Sequence, residues 1–268
     1  MKLSISNIAW SAEQDTDVYK FMQKYGFTGL EIAPTRIFPE NPYDHIKEAE
    51  SWICDLRSKY RFEISSMQSI WYGRQERIFG SKEEREDLIG YTKKAIDFAA
   101  AVGCKNLVFG CPGNRKIPDQ MTSDEAQAIA VEFFHIIGDY ALKQGTVIGM
   151  EANPPIYNTN FINTTSDALS LIQEVDSNGF KLNLDVGTMI QLKEDISVLI
   201  GNVHLINHVH MSEPYLQPIQ KRTLHNDFMR LLCDEGYDRF ISIEMSKTDD
   251  LRTVSECIKY LSHMVLSL

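Results

Sequence analysis

TVIGME at residues 146–151 has the composition of a buried β-strand, and runs of the same kind follow it along the chain: FKLNLD (180–185), INHVHM (206–211) and FISIEM (240–245). Each run is apolar, rich in β-forming residues and bounded by turn residues. Earlier runs of this kind complete a series of eight: LSISNIA (3–9), FTGLEIA (27–33), FEISSMQ (62–68) and NLVFG (106–110). The repetition predicts eight short strands.

Helical signals fill the intervals between these strands. Ser81 followed by Glu84 is a capping-box pattern at the start of one helix. Gly26 is a typical residue just beyond the end of another, and a weaker helix is predicted after Lys193. Eight strands alternating with eight helical segments suit either an open doubly wound sheet or a closed (β/α)₈ barrel.

The length and the missing phosphate-binding motifs favour the barrel. The chain has 268 residues, no GxGxxG after the first strand and no GxxxxGK[ST]. It also lacks a linker-like tract, and residues 33–45 are typical of an elaborated βα loop. We therefore predict the α/β class with one domain, a single (β/α)₈ TIM barrel over residues 1–268.

Composition excludes several classes of protein. Lysine and arginine number 27 against 37 aspartates and glutamates, a formal net charge of −10 that disfavours a nucleic-acid partner. No apolar run reaches the roughly 18 residues of a membrane span, and none follows Lys2 as in a signal peptide. The five cysteines include no CxxC pair, so a disulfide framework is not expected. A cytoplasmic location is the expectation, with neither membrane nor nucleic acid as partner.

Ionisable side chains end the last four predicted strands. They are Glu151, Asp185, His210 and Glu244. Because the carboxyl ends of barrel strands form one mouth, these residues should lie close together, where three carboxylates would repel one another. A divalent cation would offset that repulsion. Oxygen-rich ligation with one nitrogen suits Mn²⁺ or Mg²⁺, with Co²⁺ as an option and Zn²⁺ less favoured. Any one of these residues alone would more often be a helix cap or a solvated charge.

The sequence motifs around these residues resemble those of a known superfamily. IGMEANP (148–154), LNLDVGTM (182–189), HVHMSEP (208–214) and SIEM (242–245) look like the metal-binding strands of the xylose isomerase-like TIM barrels. These include sugar phosphate isomerase/epimerase proteins, ketose 3-epimerases and AP endonucleases of the second family. The resemblance implies one Mn²⁺-type ion bound by Glu151, Asp185, His210 and Glu244. It also implies that Glu151 and Glu244 are the catalytic acid/base pair.

Three positions depart from the ketose 3-epimerases. Thr188, Tyr157 and Leu216 stand where those enzymes usually carry His, Glu and Arg that hold substrate hydroxyls. We therefore expect a changed substrate specificity, in which a free ketohexose is not the expected substrate. The endonucleases' additional histidines are also missing from SSMQS, FGCPG and DVGTM, so DNA repair is not expected.

Several other side chains are candidates for substrate binding because they lie at predicted strand ends or in the loops that follow. They are Trp10, Gln68, Arg115, Asn153, His208, His225 and Lys247. Arg115 could bind a carboxylate or phosphate as a bidentate fork. His208 could face the mouth or orient a carboxylate. The alternative for each is core packing or a solvated charge.

The predicted function is a metal-dependent isomerase or epimerase acting on a sugar or sugar derivative. It would remove a proton next to a carbonyl and pass through a metal-stabilised enediolate. One alternative is a dehydratase of an inosose-type keto-polyol, which shares enediolate formation. Another is a barrel that binds a sugar derivative without turning it over. The partner is a small sugar-like molecule, and the resemblance leaves a homo-oligomer open.

Overall fold

The computed structural model describes residues 1–267, in which eight parallel strands close into a barrel. The strands are β1 Lys2–Ser6, β2 Gly29–Ile32, β3 Glu63–Met67, β4 Leu107–Phe109, β5 Ile148–Met150, β6 Phe180–Asp185, β7 Ile206–Met211 and β8 Phe240–Ile243. β1 pairs with both β2 and β8, which closes the barrel. The predicted single (β/α)₈ barrel is therefore confirmed, and the open doubly wound sheet is excluded.

Helices follow the strands and surround the barrel. They are α1 Asp15–Lys24, α2 Pro34–Ile37, α3 Ile46–Tyr60, α4 Lys82–Val102, α5 Ser123–Lys143, α6 Thr165–Val175, α7 Val186–Leu192, α8 Thr223–Asp234 and α9 Leu251–Leu266. The capping box at α4 is confirmed: Ser81 accepts from the Glu84 amide, and Glu84 accepts from the Ser81 amide at 2.8 Å. Residues 33–45 form an elaborated loop that contains α2. No helix within residues 1–267 has the length and apolarity that crossing a membrane requires.

The prediction of a helix after Lys193 is wrong. α7 begins immediately after Asp185 and ends at Leu192, and Lys193 caps it in the left-handed conformation. The chain beyond forms only 3₁₀ turns, at Ile196–Leu199 and Val203–Leu205. The helix begins at the strand end because the Asp185 carboxylate accepts hydrogen bonds from the amides of Gly187 and Thr188 in the first turn of α7.

The space inside the barrel is polar and hydrogen bonded. Ser4 contacts Ser65 at 2.6 Å, Asn106 donates to Ser66 at 2.9 Å, and all of these residues are buried. Buried polar groups need such partners because an unpaired one costs about 1–3 kcal/mol. The apolar core lies instead between strands and helices, as in the packing of Phe109 on β4 against Phe134 on α5, with ring centroids 4.8 Å apart.

The packing of α5 on the start of β6 depends on two glycines. A Cβ atom at Gly179 would lie 1.9 Å from the carbonyl oxygen of Gly138 in α5. That neighbour is backbone and cannot rotate away, so the close approach requires glycine. This contact sets the position of β6, which carries Asp185 to the mouth of the barrel.

We predict that Gly179→Ala lowers the free energy of unfolding by about 1–3 kcal/mol, because the added methyl overpacks this contact. Chemical denaturation of the two proteins measures the difference. Gly90→Ala is the matched control: it lies in α4 with no atom within 4 Å of the added Cβ. Replacing glycine inside a helix should stabilise by about 0.5–1 kcal/mol. Equal stability of Gly179→Ala and the wild type would contradict the packing argument.

Candidate metal centre

The four residues predicted as ligands lie at the carboxyl ends of four adjacent strands. Asp185 ends β6, His210 lies near the end of β7, and Glu151 and Glu244 directly follow β5 and β8. Asp185 and His210 are paired in register. Glu151, Asp185 and Glu244 line one pocket of about 180 Å³. His210 is completely buried.

The His210 ring joins two carboxylates at the base of this pocket. Its Nδ1 lies 2.8 Å from Oε1 of Glu151 and 3.1 Å from Oε2 of Glu244. One ligand atom of each residue can be chosen so that all three lie within 4.8 Å of one another. Both glutamates are only 8% exposed, so their charges are largely withdrawn from water.

The opposite side of the His210 ring contacts a carboxylate that the sequence analysis missed. Glu31, at β2, is completely buried and lies 3.1 Å from His210 Nε2. Its second imidazole contact is His208 Nε2 at 2.8 Å, and Gln68 donates to its Oε1 at 2.8 Å. The available signal was a single charged residue inside the apolar run FTGLEIA. A charge in a buried strand requires a partner.

The charges of this cluster are strongly coupled. Burial by itself would raise the pKa of Glu31, but the adjacent His210 and His208 imidazoles outweigh it and hold this pKa below its usual range. Burial would likewise lower the pKa of His210, but the carboxylates of Glu244 and Glu31 raise it well above its usual value. The carboxylates around His210 therefore favour its charged form.

Amide side chains fix the orientation of Glu151. Asn183 donates to its Oε1 at 2.8 Å, and Asn153 donates to its Oε2 at 3.0 Å. Arg115 supports this arrangement from behind, since its guanidinium donates to the Glu151 carbonyl at 2.9 Å and to Asn153 Oδ1 at 2.8 Å. Both carboxylate oxygens therefore have defined positions.

The position of Arg115 does not fit the expectation that its guanidinium binds a substrate carboxylate or phosphate. The side chain is completely buried, and both terminal nitrogens are used by protein acceptors. Burial lowers its pKa to about 10. It holds the end of β5 in place and does not line the pocket.

Asp185 lines the pocket but lies outside the three-residue group of possible ligands. Its oxygens accept from the Thr188 amide at 2.9 Å, from the Thr188 hydroxyl at 2.7 Å, and from Gly187 and Ser212. The residue thus caps α7 while it lines the pocket, and its role as the fourth metal ligand stays a prediction. Burial and the charge of Glu151 raise the pKa of Asp185.

The remaining substrate candidates occupy four different places. Gln68, like Asn153, lines the pocket, whereas His208 lies beneath it on Glu31. His225 is completely buried away from the pocket lining, with its Nδ1 3.1 Å from the Tyr260 hydroxyl, and burial lowers its pKa to about 4. Trp10 and Lys247 line a neighbouring cleft.

The three departures from the ketose 3-epimerases also have definite places. Thr188 contacts Asp185, as described. The Tyr157 hydroxyl accepts from the Tyr215 amide at 2.9 Å and so joins the loops after β5 and β7. Leu216 lines the pocket with an apolar surface. None of these side chains carries a charge that could hold a sugar hydroxyl.

A further buried carboxylate fixes the loop after β7. Glu213 is 2% exposed, lines the pocket and accepts from Arg222 Nε at 2.8 Å and from the Gln220 amide at 3.1 Å. No sequence pattern predicts this pair, because the two residues lie in a loop without periodicity. The pair holds residues 213–222 against the mouth of the barrel.

The donor set at the base of the pocket fits a divalent cation. A metal ligand must be deprotonated, so a cation bound at His210 Nδ1 would take the place of a proton at this atom, between Glu151 and Glu244. Burial raises the pKa of Glu244, because its charged form loses the solvation of water, and the charges of Asp185 and Glu31 act in the same direction. Glu31 at Nε2 is the kind of partner that fixes the orientation of a ligating imidazole.

Comparisons with solved structures give the same architecture. The chain is similar to the E. coli 3-keto-D-glucoside 4-epimerase YcjR (TM-score 0.79, 18% identity, covering 98% of this chain and 99% of that one). It is also similar to D-psicose 3-epimerase from Clostridium cellulolyticum H10, solved with D-tagatose (0.75, 16%, 100% and 97%). A third similar structure is the IolI protein with a bound zinc atom (0.74, 16%, 100% and 99%). No curated protein matches the sequence.

The family assignment rests on the sequence itself. A family model described as xylose isomerase-like TIM barrel matches residues 19–261, which include seven of the eight strands, β2 to β8. The matched range contains Glu31 and the four predicted ligands. This confirms the resemblance seen in the strand-end motifs, and the chain belongs to the xylose isomerase-like TIM barrel family.

Proposed function

We propose that the protein is a divalent-metal-dependent isomerase or epimerase of a sugar derivative. The observation that carries the proposal is the placement of two carboxylates, Glu151 and Glu244, on one atom of His210 at the base of a pocket. Interconverting ketoses or their epimers requires removing and returning a proton next to a carbonyl. Two carboxylates facing one pocket supply a base and an acid for that exchange.

Glu151, Asp185, His210 and Glu244 would hold the metal: ligand atoms of Glu151, His210 and Glu244 already lie close together, and Asp185 lines the same pocket. Three oxygen donors and one imidazole favour Mn²⁺ in this proposal, with Mg²⁺, Co²⁺ and Zn²⁺ as alternatives. When bound, the cation would polarise the substrate carbonyl and so acidify the neighbouring C–H.

The chain's own residues position the proton transfer. Asn183 and Asn153 hold the Glu151 carboxylate, so its free lone pairs have a fixed direction. Glu244 contacts the same Nδ1 atom of His210 at 3.1 Å. We propose that one glutamate takes the proton from the substrate carbon and that the other delivers a proton to the opposite face. Low exposure of both keeps water from competing.

Two further observations support a sugar derivative as substrate. The similar structures are named as epimerases of a 3-keto-D-glucoside and of D-psicose, which are carbonyl-bearing sugars. The uncharged Thr188, Tyr157 and Leu216 around the pocket argue for a substrate other than a free ketohexose. The proposed substrate class is therefore a keto-sugar whose recognition does not depend on the His, Glu and Arg that ketose 3-epimerases usually carry at these three positions.

The proposal predicts exchange of a substrate proton with solvent. The Mn²⁺-loaded protein in D₂O should introduce deuterium into at least one member of a panel of 3-keto-D-glucosides, ketoses and keto-polyols, as measured by mass spectrometry. Glu151→Gln and Glu244→Gln should each lower the exchange rate by about 10²–10⁴-fold, because each removes a proton-transfer group.

The control for these variants is Glu174→Gln on α6, an exposed glutamate that hydrogen bonds to Gln127. It should exchange deuterium at the wild-type rate. The Mn²⁺ content of each variant is measured alongside, so that a lost proton-transfer group is distinguished from a lost metal. A metal-loaded wild type that exchanges no member of the panel would overturn the proposed function.

The contact of Glu31 with His210 predicts an effect on metal affinity. Glu31→Gln replaces the charged acceptor of Nε2 by a neutral amide, which weakens the contact that orients His210 toward the pocket. We expect Mn²⁺ to bind about 10–100-fold more weakly, as measured by isothermal titration calorimetry on protein whose fold is checked by circular dichroism.

Glu63→Gln is the matched control for Glu31→Gln. Glu63 also lies on a barrel strand, but at the opposite end and with its side chain 57% exposed. Its Mn²⁺ affinity should equal that of the wild type. An unchanged affinity in Glu31→Gln would show that the buried carboxylate does not orient the ligand.

A further inference from the structure

A second concavity, which we call the outer cleft, adjoins the pocket of the candidate metal centre. Its volume is about 590 Å³, and its lining includes Trp10, Glu13, Arg36, Ser69, Tyr72 and Lys247. It lies among the loops that follow β1, β2, β3 and β8. Two residues proposed from sequence as substrate contacts, Trp10 and Lys247, thus belong to this cleft and not to the inner pocket.

Ser69 connects the two cavities because it lines both. It has a φ of 54°, in the left-handed region that non-glycine residues seldom adopt. Gln68, directly before it, lines the inner pocket and is hydrogen bonded to Glu31. A ligand that passes over Ser69 can therefore occupy both cavities.

The sizes of the cavities favour a ligand in two parts. The inner pocket, at about 180 Å³, is smaller than the roughly 300–1,000 Å³ of usual small-molecule sites. The inner pocket and the outer cleft together fall within that range. The inner pocket suits the reacting sugar alone, and the outer cleft has room for a group attached to it.

One wall of the outer cleft is fixed before any ligand binds. The Trp10 indole donates to Asp15 Oδ1 at 2.7 Å, and Arg36 pairs with the same oxygen at 2.6 Å. The guanidinium also lies 5.6 Å from the Trp10 ring centroid. A preorganised wall of this kind lowers the entropic cost of binding.

The other groups of the cleft favour a neutral ligand. Arg36 is paired with Asp15, and Lys247 shares the lining with Glu13, so the two cations are balanced by two anions. This balance gives no preference for a phosphate or a carboxylate. The Tyr72 ring is 72% exposed and offers a flat apolar surface. An aromatic face beside charged hydrogen-bonding groups suits a sugar ring, which has C–H faces and a rim of hydroxyls.

We propose that the outer cleft binds a neutral glycosyl unit attached to the reacting sugar. The substrate is then a keto-glycoside or keto-oligosaccharide and not a free ketose. This inference rests on the proposed function for its reacting end, while the cleft itself can be tested without turnover.

The first test compares two kinds of substrate in the deuterium-exchange assay. The 3-keto derivatives of cellobiose, maltose and trehalose carry a second glucosyl unit, whereas the 3-keto derivative of methyl glucoside carries only a methyl group. For at least one disaccharide, kcat/KM should exceed that for the methyl glycoside by about tenfold, and Tyr72→Ala should reduce this ratio toward one. Lys143→Ala, at the far end of α5, should keep the wild-type ratio.

The second test measures equilibrium binding of unreacted cellobiose, maltose, trehalose and glucose to the Mn²⁺-loaded wild type and to Tyr72→Ala by calorimetry. Tighter binding of a disaccharide than of glucose, lost in Tyr72→Ala, supports the cleft even if no substrate exchanges deuterium and the proposed function fails. The inference is overturned if every disaccharide binds and reacts like its one-ring counterpart. It is also overturned if Tyr72→Ala keeps the wild-type disaccharide preference.

Discussion

The His210 imidazole holds together carboxylates that would otherwise repel one another. Its Nε2 lies on the buried Glu31, and its Nδ1 lies on Glu151 and Glu244 at the base of the pocket. Removing one partner of such a buried group costs about 3–5 kcal/mol, because the remaining charge is left without compensation. The arrangement also depends on closure of the barrel, which brings Glu31 on β2 across the interior to β7.

The polar interior of the barrel carries this cluster. Asn183 lies between Asn106 and Glu151, and Gln68 lies between Ser6 and Glu31. The side chains below the pocket thus form hydrogen-bonded chains where an apolar interior would leave the glutamates without partners. Such networks, once fully satisfied, hold a site in one geometry, which is what a proton transfer between fixed carboxylates requires.

The sequence predicted the strand ends well, because the order of elements fixes which residues meet at a barrel mouth. Glu151, His210 and Glu244 lie together as expected. Glu31 could not be placed, since its partners are 177 and 179 residues away and no local pattern encodes a contact across the barrel. Asp185 had a local signal that favoured either role: a residue before a helix is a natural cap.

Arg115 is a second residue whose partners could not be predicted from the sequence. Its position in a loop after β4 suggested a free cation, whereas its partners are a carbonyl and an amide 36 and 38 residues further along the chain. The outer cleft likewise arises from loops that meet only in the closed barrel, so Trp10 and Lys247 could be named from sequence as candidates but not assigned to one cavity.

The most direct test of the central claim is anomalous X-ray diffraction from crystals soaked in Mn²⁺. One manganese peak is expected at the base of the pocket, bound by His210 Nδ1, Glu151, Asp185 and Glu244, with His210 Nε2 still on Glu31. A manganese peak on Nε2, or no peak at these residues, would contradict the account.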